Sequence, residues 1–354
     1  MNKAKYITDV PKDREEAIGV IESKRPKIIF VLGDIDTGKS TLITYLANKL
    51  IETFKIGIID ADIGQKGILP PTTISLTFPR DKFTSFSELK AEKSYFIGST
   101  TPNQFFGEMV AGLKRLVDLS TQRADIILVD LTGYVHGQGA ELKRLKIETV
   151  KPDLILALQR RNELENILKP FKNKIEIINL EVSKDAKIHE PSERRRIRRE
   201  KWKAYFQNSK TYRLSLNDYI ISGTQLFQGR ELTKEELEML GNLFKWLVFY
   251  GEKMGEKYIA VKADLEHYSR QIDKRVLHYI DFEKLSNLLV GLIDEDGFCI
   301  GVGILKLINF REKWIEVLAP LSEEEMKKVR EIRFGRIRVR EDGEELGLID
   351  RGAI

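Results

Sequence analysis

The 354-residue sequence contains a single cysteine, Cys299. It can form no intramolecular disulfide and offers no cysteine cage for zinc, which fits a reducing compartment. Cys299 itself reads as a small buried residue. No apolar run approaches the length of a membrane span, and the opening Met1-Asn-Lys-Ala-Lys-Tyr6 is not followed by the apolar stretch of a secretory signal. A cytoplasmic protein with no membrane partner is therefore expected. Internal repeats and low-complexity segments are also missing. Net charge is scarce, since 59 basic and 54 acidic residues leave only +5. That excess sits in one place, residues 184–203, where nine Lys/Arg meet four Asp/Glu. One concentrated basic patch points to a polyanionic partner.

What is present is more specific. Gly33-Asp34-Ile35-Asp36-Thr37-Gly38-Lys39-Ser40 directly follows the apolar run Ile28-Ile29-Phe30-Val31-Leu32, and a helical pattern runs from Thr41 to Leu50. This is the phosphate-loop pattern G-x-x-x-x-G-K-[ST] between a buried strand and a helix, the context it requires. Backbone amides from Gly33 to Thr41 and the helix N-terminus are expected to face an anion. Lys39 then reaches the β/γ-phosphates and the Ser40 hydroxyl ligates Mg²⁺, so ATP or GTP with Mg²⁺ is the expected cofactor.

Further short apolar strands are read at 55–60, 94–98, 125–130 and 154–158, with a helix at 105–119. The alternation implies an α/β P-loop NTPase whose mostly parallel sheet is covered by helices, with ligands at the carboxyl ends of its strands. Residues 1–26 form a polar N-terminal extension, with a helical pattern at 14–21 ended by Pro26 and placed to pack beside the nucleotide base. The P-loop domain spans 27–210 and includes a basic lid at 184–206. Residues 211–354 form a smaller β-rich domain. There Thr233-Lys-Glu-Glu236 is a capping box starting a helix to about residue 247. Asp294-Glu-Asp-Gly297 and Arg340-Glu-Asp-Gly-Glu344 mark two hairpins, and no catalytic motif is present.

Three loops gather at the expected site. Asp60-Ala-Asp62-Ile-Gly64-Gln65 offers two carboxylates and a carboxamide. One carboxylate, assigned to Asp60, supports Mg²⁺, while Asp62 accepts a proton from an acceptor hydroxyl; the two roles are exchangeable at this level. Alternatively, Asp60 caps the strand end and Asp62 is solvated. Asp130-Leu131-Thr132-Gly133-Tyr134-Val135-His136-Gly137 contains Asp-x-x-Gly, as in a switch GTPase, but the chain has no Asn-Lys-x-Asp guanine-recognition motif. Tyr134 is either a stacking face for a nucleobase or a core tyrosine. His136 lacks partners at zinc-ligand spacing. The polar loop Gly98-Ser99-Thr100-Thr101-Pro102-Asn103 is suited to an acceptor sugar or phosphate. In the basic segment a helical period turns Ile197, Trp202, Tyr205 and Phe206 inward and sets Arg194 and Arg198 on one face. That face is either simply solvated or a lid over transferring phosphates.

Together these motifs resemble the polynucleotide 5′-hydroxyl kinase family that includes the kinase of the pre-mRNA cleavage factor and the kinase acting in ribosomal RNA processing. The resemblance covers about residues 28–206. It rests on the phosphate loop, on Asp60-Ala-Asp62-Ile-Gly64-Gln65, on Thr132-Gly133-Tyr134-Val135-His136-Gly137 as the family's "clasp", and on Arg194-x-x-x-Arg198 ahead of Tyr205-Phe206 as its lid. It implies transfer of the γ-phosphate of an NTP to the 5′-hydroxyl of RNA and/or DNA. Lys39, Asp62, Arg194 and Arg198 then serve catalysis, and Gln65, Thr100, Thr101, Thr132, Gly133 and Tyr134 contact substrate. Tyr134 stands where relatives carry a base-stacking tryptophan, and Thr72 of Pro71-Thr72-Thr73-Ile74 replaces a glycine, so that loop is expected to sit differently. The larger relatives' amino-terminal β-domain is missing, as in a compact, free-standing member of archaeal type. Some relatives are inactive NTP-bound scaffolds with RNA-processing partners, which is the main rival reading.

Overall fold

The structure is a computed structural model describing residues 10–265 and 272–354. Met1–Tyr6, read above for a signal, lies outside the described residues, as does part of the strand-rich stretch beyond Tyr258. Packing divides the chain into two units, Met1–Lys201 and Trp202–Ile354.

In chain order the first unit runs α1 (Asp13–Lys24), β1 (Ile28–Gly33), α2 (Lys39–Leu50), β2 (Ile56–Ala61), β3 (Thr73–Thr77), β4 (Lys93–Phe96), α3 (Phe106–Thr121), β5 (Ile126–Leu131), α4 (Gln138–Val150), β6 (Leu154–Gln159), α5 (Glu165–Leu168), β7 (Glu176–Glu181) and then α6 (Pro191–Phe206), whose last residues, from Trp202 on, belong to the second unit. One seven-stranded sheet has the order β4-β3-β2-β5-β1-β6-β7. Strands β1, β2, β5, β6 and β7 are parallel neighbours; β3 runs antiparallel to both β2 and β4. The central strands are apolar on both faces because both are covered. Ile29 and Val31 of β1 pack with Ile43, Leu46 and Leu50 of α2 and with Ala17 and Ile21 of α1. The intervening Phe30 and Leu32 are buried on the opposite face.

Residues read as a polar extension therefore supply part of this core. Asp13 accepts from the Glu181 amide at 2.7 Å, tying the start of α1 to the carboxyl end of β7. Thr72, standing for a glycine, takes φ +67 while fully buried. A β-branched residue in that region is strained. Its Oγ1 has no hydrogen-bond partner.

The second unit contains β8 (Lys210–Ser215), β9 (Ile220–Ser222), β10 (Arg230–Glu231), α7 (Lys234–Phe244), β11 (Trp246–Met254), β12 (Lys257–Asp264), β13 (Leu277–Asp281), β14 (Leu288–Ile293), β15 (Cys299–Asn309), β16 (Trp314–Ala319), α8 (Glu323–Met326), β17 (Glu331–Val339) and β18 (Glu345–Leu348). They form a sheet β10-β11-β12-β13 and a larger sheet β18-β17-β14-β15-β16-β8, with β9 beside β17. Both expected hairpins pair antiparallel. The Thr233–Glu236 capping box is made. The helix it starts ends at Phe244, short of 247, because Lys245 turns left-handed and Trp246-Leu-Val-Phe-Tyr250, rich in strand-forming side chains, pairs with β12. No described helix is long and apolar enough to cross a membrane.

Candidate active site

The site described here lies within the first unit. Strand β1 delivers the chain into the phosphate loop, Gly38 turns it at φ +85, and α2 begins at Lys39. The unpaired amides of that first turn are the donors an anion would use. Lys39 is buried and donates to the Asp34 carbonyl at 2.8 Å, a carbonyl that also accepts from Thr37 Oγ1 at 2.9 Å.

The Ser40 hydroxyl donates to Asp130 Oδ2 at the end of β5. Register places Asp130 beside Val31 on one side and Asp60 on the other. Asp130 is 2% exposed, and its Oδ1 has no hydrogen-bond partner. Burial above all, with the charge of Asp60, pushes its carboxyl up to about 7 against the pull of Lys39 and Ser40. Asp60, expected beside Ser40 at a metal, is occupied differently. Its Oδ1 accepts from the Asp62 amide at 3.1 Å, and its Oδ2 from the Gly67 and Ile68 amides at 2.8 Å each and from the Lys66 ion pair at 3.3 Å. Asp60 thus organises the turn after β2. The sequence carries a signal for Asp130, an apolar strand ending in aspartate, but the same signal marks Asp60, and the sequence reading gives the metal to Asp60.

The donor set fits a magnesium ion. A hydroxyl and a carboxylate with one unused oxygen lie together under the phosphate loop, and Mg²⁺ characteristically takes one or two protein oxygens and completes its shell with phosphate and water. Among the described residues no cluster of three His, Cys, Asp or Glu suggests another metal site.

Asp62 Oδ1 accepts from the Gly64 and Gln65 amides at 2.9 Å each. The resulting turn presses Gly64 so close to the Thr100 carbonyl that a Cβ would lie 3.0 Å from it. The Asp62–Gln65 turn and the loop that carries Thr100 and Thr101 thereby meet at Gly64 and Thr100. The loop at 98–103 is braced by Ser99, whose Oγ donates to the Thr101 carbonyl at 2.9 Å. On the other flank a Cβ on Gly133 would stand 2.7 Å from the Ile35 backbone, so the clasp loop rests on the phosphate loop. Tyr134 is half-buried there. Thr132 is buried, and its Oγ1 accepts from Lys143 Nζ at 2.6 Å.

Lys143 and Lys146, one turn apart on α4, are wholly buried. Burial first, then the neighbouring Lys146 and Lys39, holds the Lys143 ammonium well below its ordinary range. Burial brings Lys146 down to about 7, with Asp62 opposing, and its Nζ has no hydrogen-bond partner. Nothing in the pattern Leu142-Lys143-Arg144-Leu145-Lys146 distinguishes these amines from a solvated helix face. Lys201 is likewise held low by burial, and its ammonium donates to the Lys66 carbonyl.

On α6, Arg195, Arg196 and Arg199 are exposed while Arg194 and Arg198 are half-buried on one face. Arg194 Nη1 donates to the His189 carbonyl at 2.6 Å and to Asp36 Oδ2 at 3.3 Å. His136, without zinc partners in the sequence, has its Nε2 2.9 Å from Asp34 Oδ2. The phosphate loop, the Asp62 turn, the clasp and the arginine face thus converge on the carboxyl ends of β1, β5 and β2.

The mRNA cleavage and polyadenylation factor CLP1 P-loop family matches residues 33–208. A polyribonucleotide 5′-hydroxyl-kinase of Methanocaldococcus jannaschii is 54% identical over 100% of this chain and 99% of its own. One of Pyrococcus furiosus is 56% identical with the same coverage. Among solved structures, a chain of the Clp1p–Pcf11p complex superposes with a TM-score of 0.62 at 14% identity, covering 92% of this chain and 79% of that one, which extends the likeness of fold beyond the P-loop domain. With identity above one half over the full length of these relatives, the chain belongs to the polyribonucleotide 5′-hydroxyl-kinase family, built on a CLP1-type P-loop domain.

Proposed function

We propose that the protein transfers the γ-phosphoryl group of ATP or GTP to the 5′-hydroxyl end of an RNA strand. Lys39 and the amides of the phosphate loop hold the β/γ-phosphates. Ser40 and Asp130 would hold Mg²⁺, which when bound neutralises phosphate charge. Asp62 takes the proton of the attacking hydroxyl, Arg194 and Arg198 face the charge that spreads over the transferring group, and the acceptor end lies along Gln65, Thr100, Thr101, Gly133 and Tyr134. Thr132, whose hydroxyl is committed to Lys143, contributes by shaping the clasp.

The observation that carries this reading is the placement of Asp62. Its turn fixes one carboxylate oxygen with two amides, Asp130 feels its charge, and the acceptor loop abuts it at Gly64. An alcohol needs a proton acceptor in that position to become a competent nucleophile. An inactive nucleotide-bound scaffold would still need Lys39 and Ser40 to hold its nucleotide, but it would have no need of Asp62, Arg194 and Arg198 beside them. The test is incubation with γ-labelled ATP or GTP and a panel of RNA and DNA oligonucleotides bearing 5′-hydroxyl ends. Label on the RNA 5′ end supports the reading, and binding without transfer to any acceptor supports the scaffold.

A further inference from the structure

The apex of the phosphate loop carries a carboxylate that anion binding does not call for. Asp36 sits at φ +58, its carbonyl accepting from Arg160 Nη2 at 2.8 Å. Its side chain reaches the segment that enters α6. Oδ2 accepts from the His189 amide at 2.9 Å and from Arg194 Nη1 at 3.3 Å, and Oδ1 lies 3.2 Å from His189 Nδ1. Arg194 closes the ring by donating to the His189 carbonyl at 2.6 Å. The Asp36 carboxylate is 14% exposed and the Arg194 side chain 22%, so the pair is well shielded from water. A negative charge here works against a polyphosphate ligand through like-charge repulsion, so its placement calls for a compensating role.

We propose that Asp36 is a positioning residue for the lid: it docks the start of α6 on the phosphate loop and holds Arg194 poised for the transferring phosphoryl group. The inference rests on reading Arg194 as a lid arginine. Asp36 does not touch the reacting atoms; it acts through Arg194 and His189, shortening the search that arginine makes once nucleotide is bound.

Asp36→Asn is the suitable perturbation, because asparagine tolerates the left-handed backbone and keeps an oxygen for the His189 amide. With RNA acceptor it is expected to lower kcat about tenfold or more while leaving the Kd for nucleotide within about threefold of wild type, the split expected when orientation rather than binding is lost. In an Arg194→Ala background the same substitution is expected to change kcat less than about twofold, since the partner it positions is gone. His189→Ala leaves the phosphate loop untouched and removes only the ring contact to Asp36 Oδ1, its backbone amide and carbonyl staying in place, so it is expected to lower kcat less, about threefold, with the same coupling to Arg194, and it carries the test alone if Asp36→Asn fails to fold. Losses that add across the double variants, or unchanged kcat in both single variants, overturn the proposal. If Arg194→Ala is itself silent, the lid reading falls and the latch with it. If Arg194→Ala is impaired but uncoupled to Asp36 and His189, the latch alone falls.

Discussion

Replacing Asp130 by asparagine is expected to make the empty protein more stable and the loaded protein worse at its task. The sign follows from its surroundings. Burial raises the carboxyl from an ordinary 3.8 to about 7 in the fold. Between those values the folded chain binds a proton the unfolded chain has released, so stability falls as pH rises through that window and stays low above it. About three pKa units at roughly 1.4 kcal/mol each set a ceiling near 4 kcal/mol on the cost of holding Asp130 ionised at pH 8. Asparagine removes the charge and keeps an oxygen for Ser40, but its amide enters a place where Oδ1 already lacks a partner. That returns about 1–3 kcal/mol, leaving a net gain of about 1–3 kcal/mol at pH 8. Tryptophan fluorescence is blind to this, because Trp202, Trp246 and Trp314 all lie in the second unit. Amide hydrogen exchange of β1 and β5 reads the right region. Wild type should lose protection from pH 4 to 7, and Asp130→Asn should not. Added magnesium and nucleotide should protect wild type strongly, by about 3 kcal/mol at a hundredfold excess over Kd, and the variant much less. A variant less stable than wild type at pH 8, or one protected equally by magnesium–nucleotide, refutes the reasoning.

Three further substitutions probe other parts of the argument. Asp62→Asn should leave magnesium–nucleotide binding intact and slow phosphoryl transfer by roughly 10²–10⁴-fold, the scale of a general base, in single-turnover kinetics; transfer within a few-fold of wild type removes Asp62 from that role. Lys146→Met should stabilise the first unit. The folded ammonium near 7 binds fewer protons than the ordinary 10.5 of the unfolded chain, so wild-type stability rises with pH between those values, and the variant should lack that slope in hydrogen exchange. Thr72→Gly should stabilise by about 1 kcal/mol, since relief of the left-handed strain and of the unpartnered hydroxyl outweighs the entropy glycine adds to the unfolded chain; a loss of stability in denaturant titration would show that the site is not strained.

The parts of this molecule legible in its sequence are those fixed by short-range physics. A run such as Ile28–Leu32 followed by Gly-x-x-x-x-Gly-Lys-Ser leaves the backbone few alternatives, and the capping box at Thr233 specifies its own hydrogen bonds. Partners set by strand order were not legible. Asp60 and Asp130 both end apolar strands, and only the adjacency of β1 and β5 decides that Ser40 meets Asp130. The antiparallel β3 was not anticipated, because its residues Thr73-Ile-Ser-Leu-Thr77 are buried by packing between β2 and β4 rather than marked by a long apolar run. Buried lysines are hidden for a different reason: an amine in the core and one in water are spelled alike. The end of α7 was misjudged because helix and strand share the aromatic and aliphatic residues around Trp246.

The strand order also gives the chemistry a direction. Neighbouring strands lie about 4.8 Å apart, so the carboxyl ends of β1, β5 and β2 mark a line of roughly 10 Å from phosphate loop to Asp62, with Asp130 midway. The two strands beyond β2 continue that line to the loop at 98–103, and β6 continues it the other way, toward Arg160. On the proposed function, nucleotide and acceptor would occupy opposite halves of one sheet edge and meet end to end, as an in-line displacement requires. Spent diphosphate and phosphorylated strand would then leave in opposite directions along that edge, neither having to pass the other.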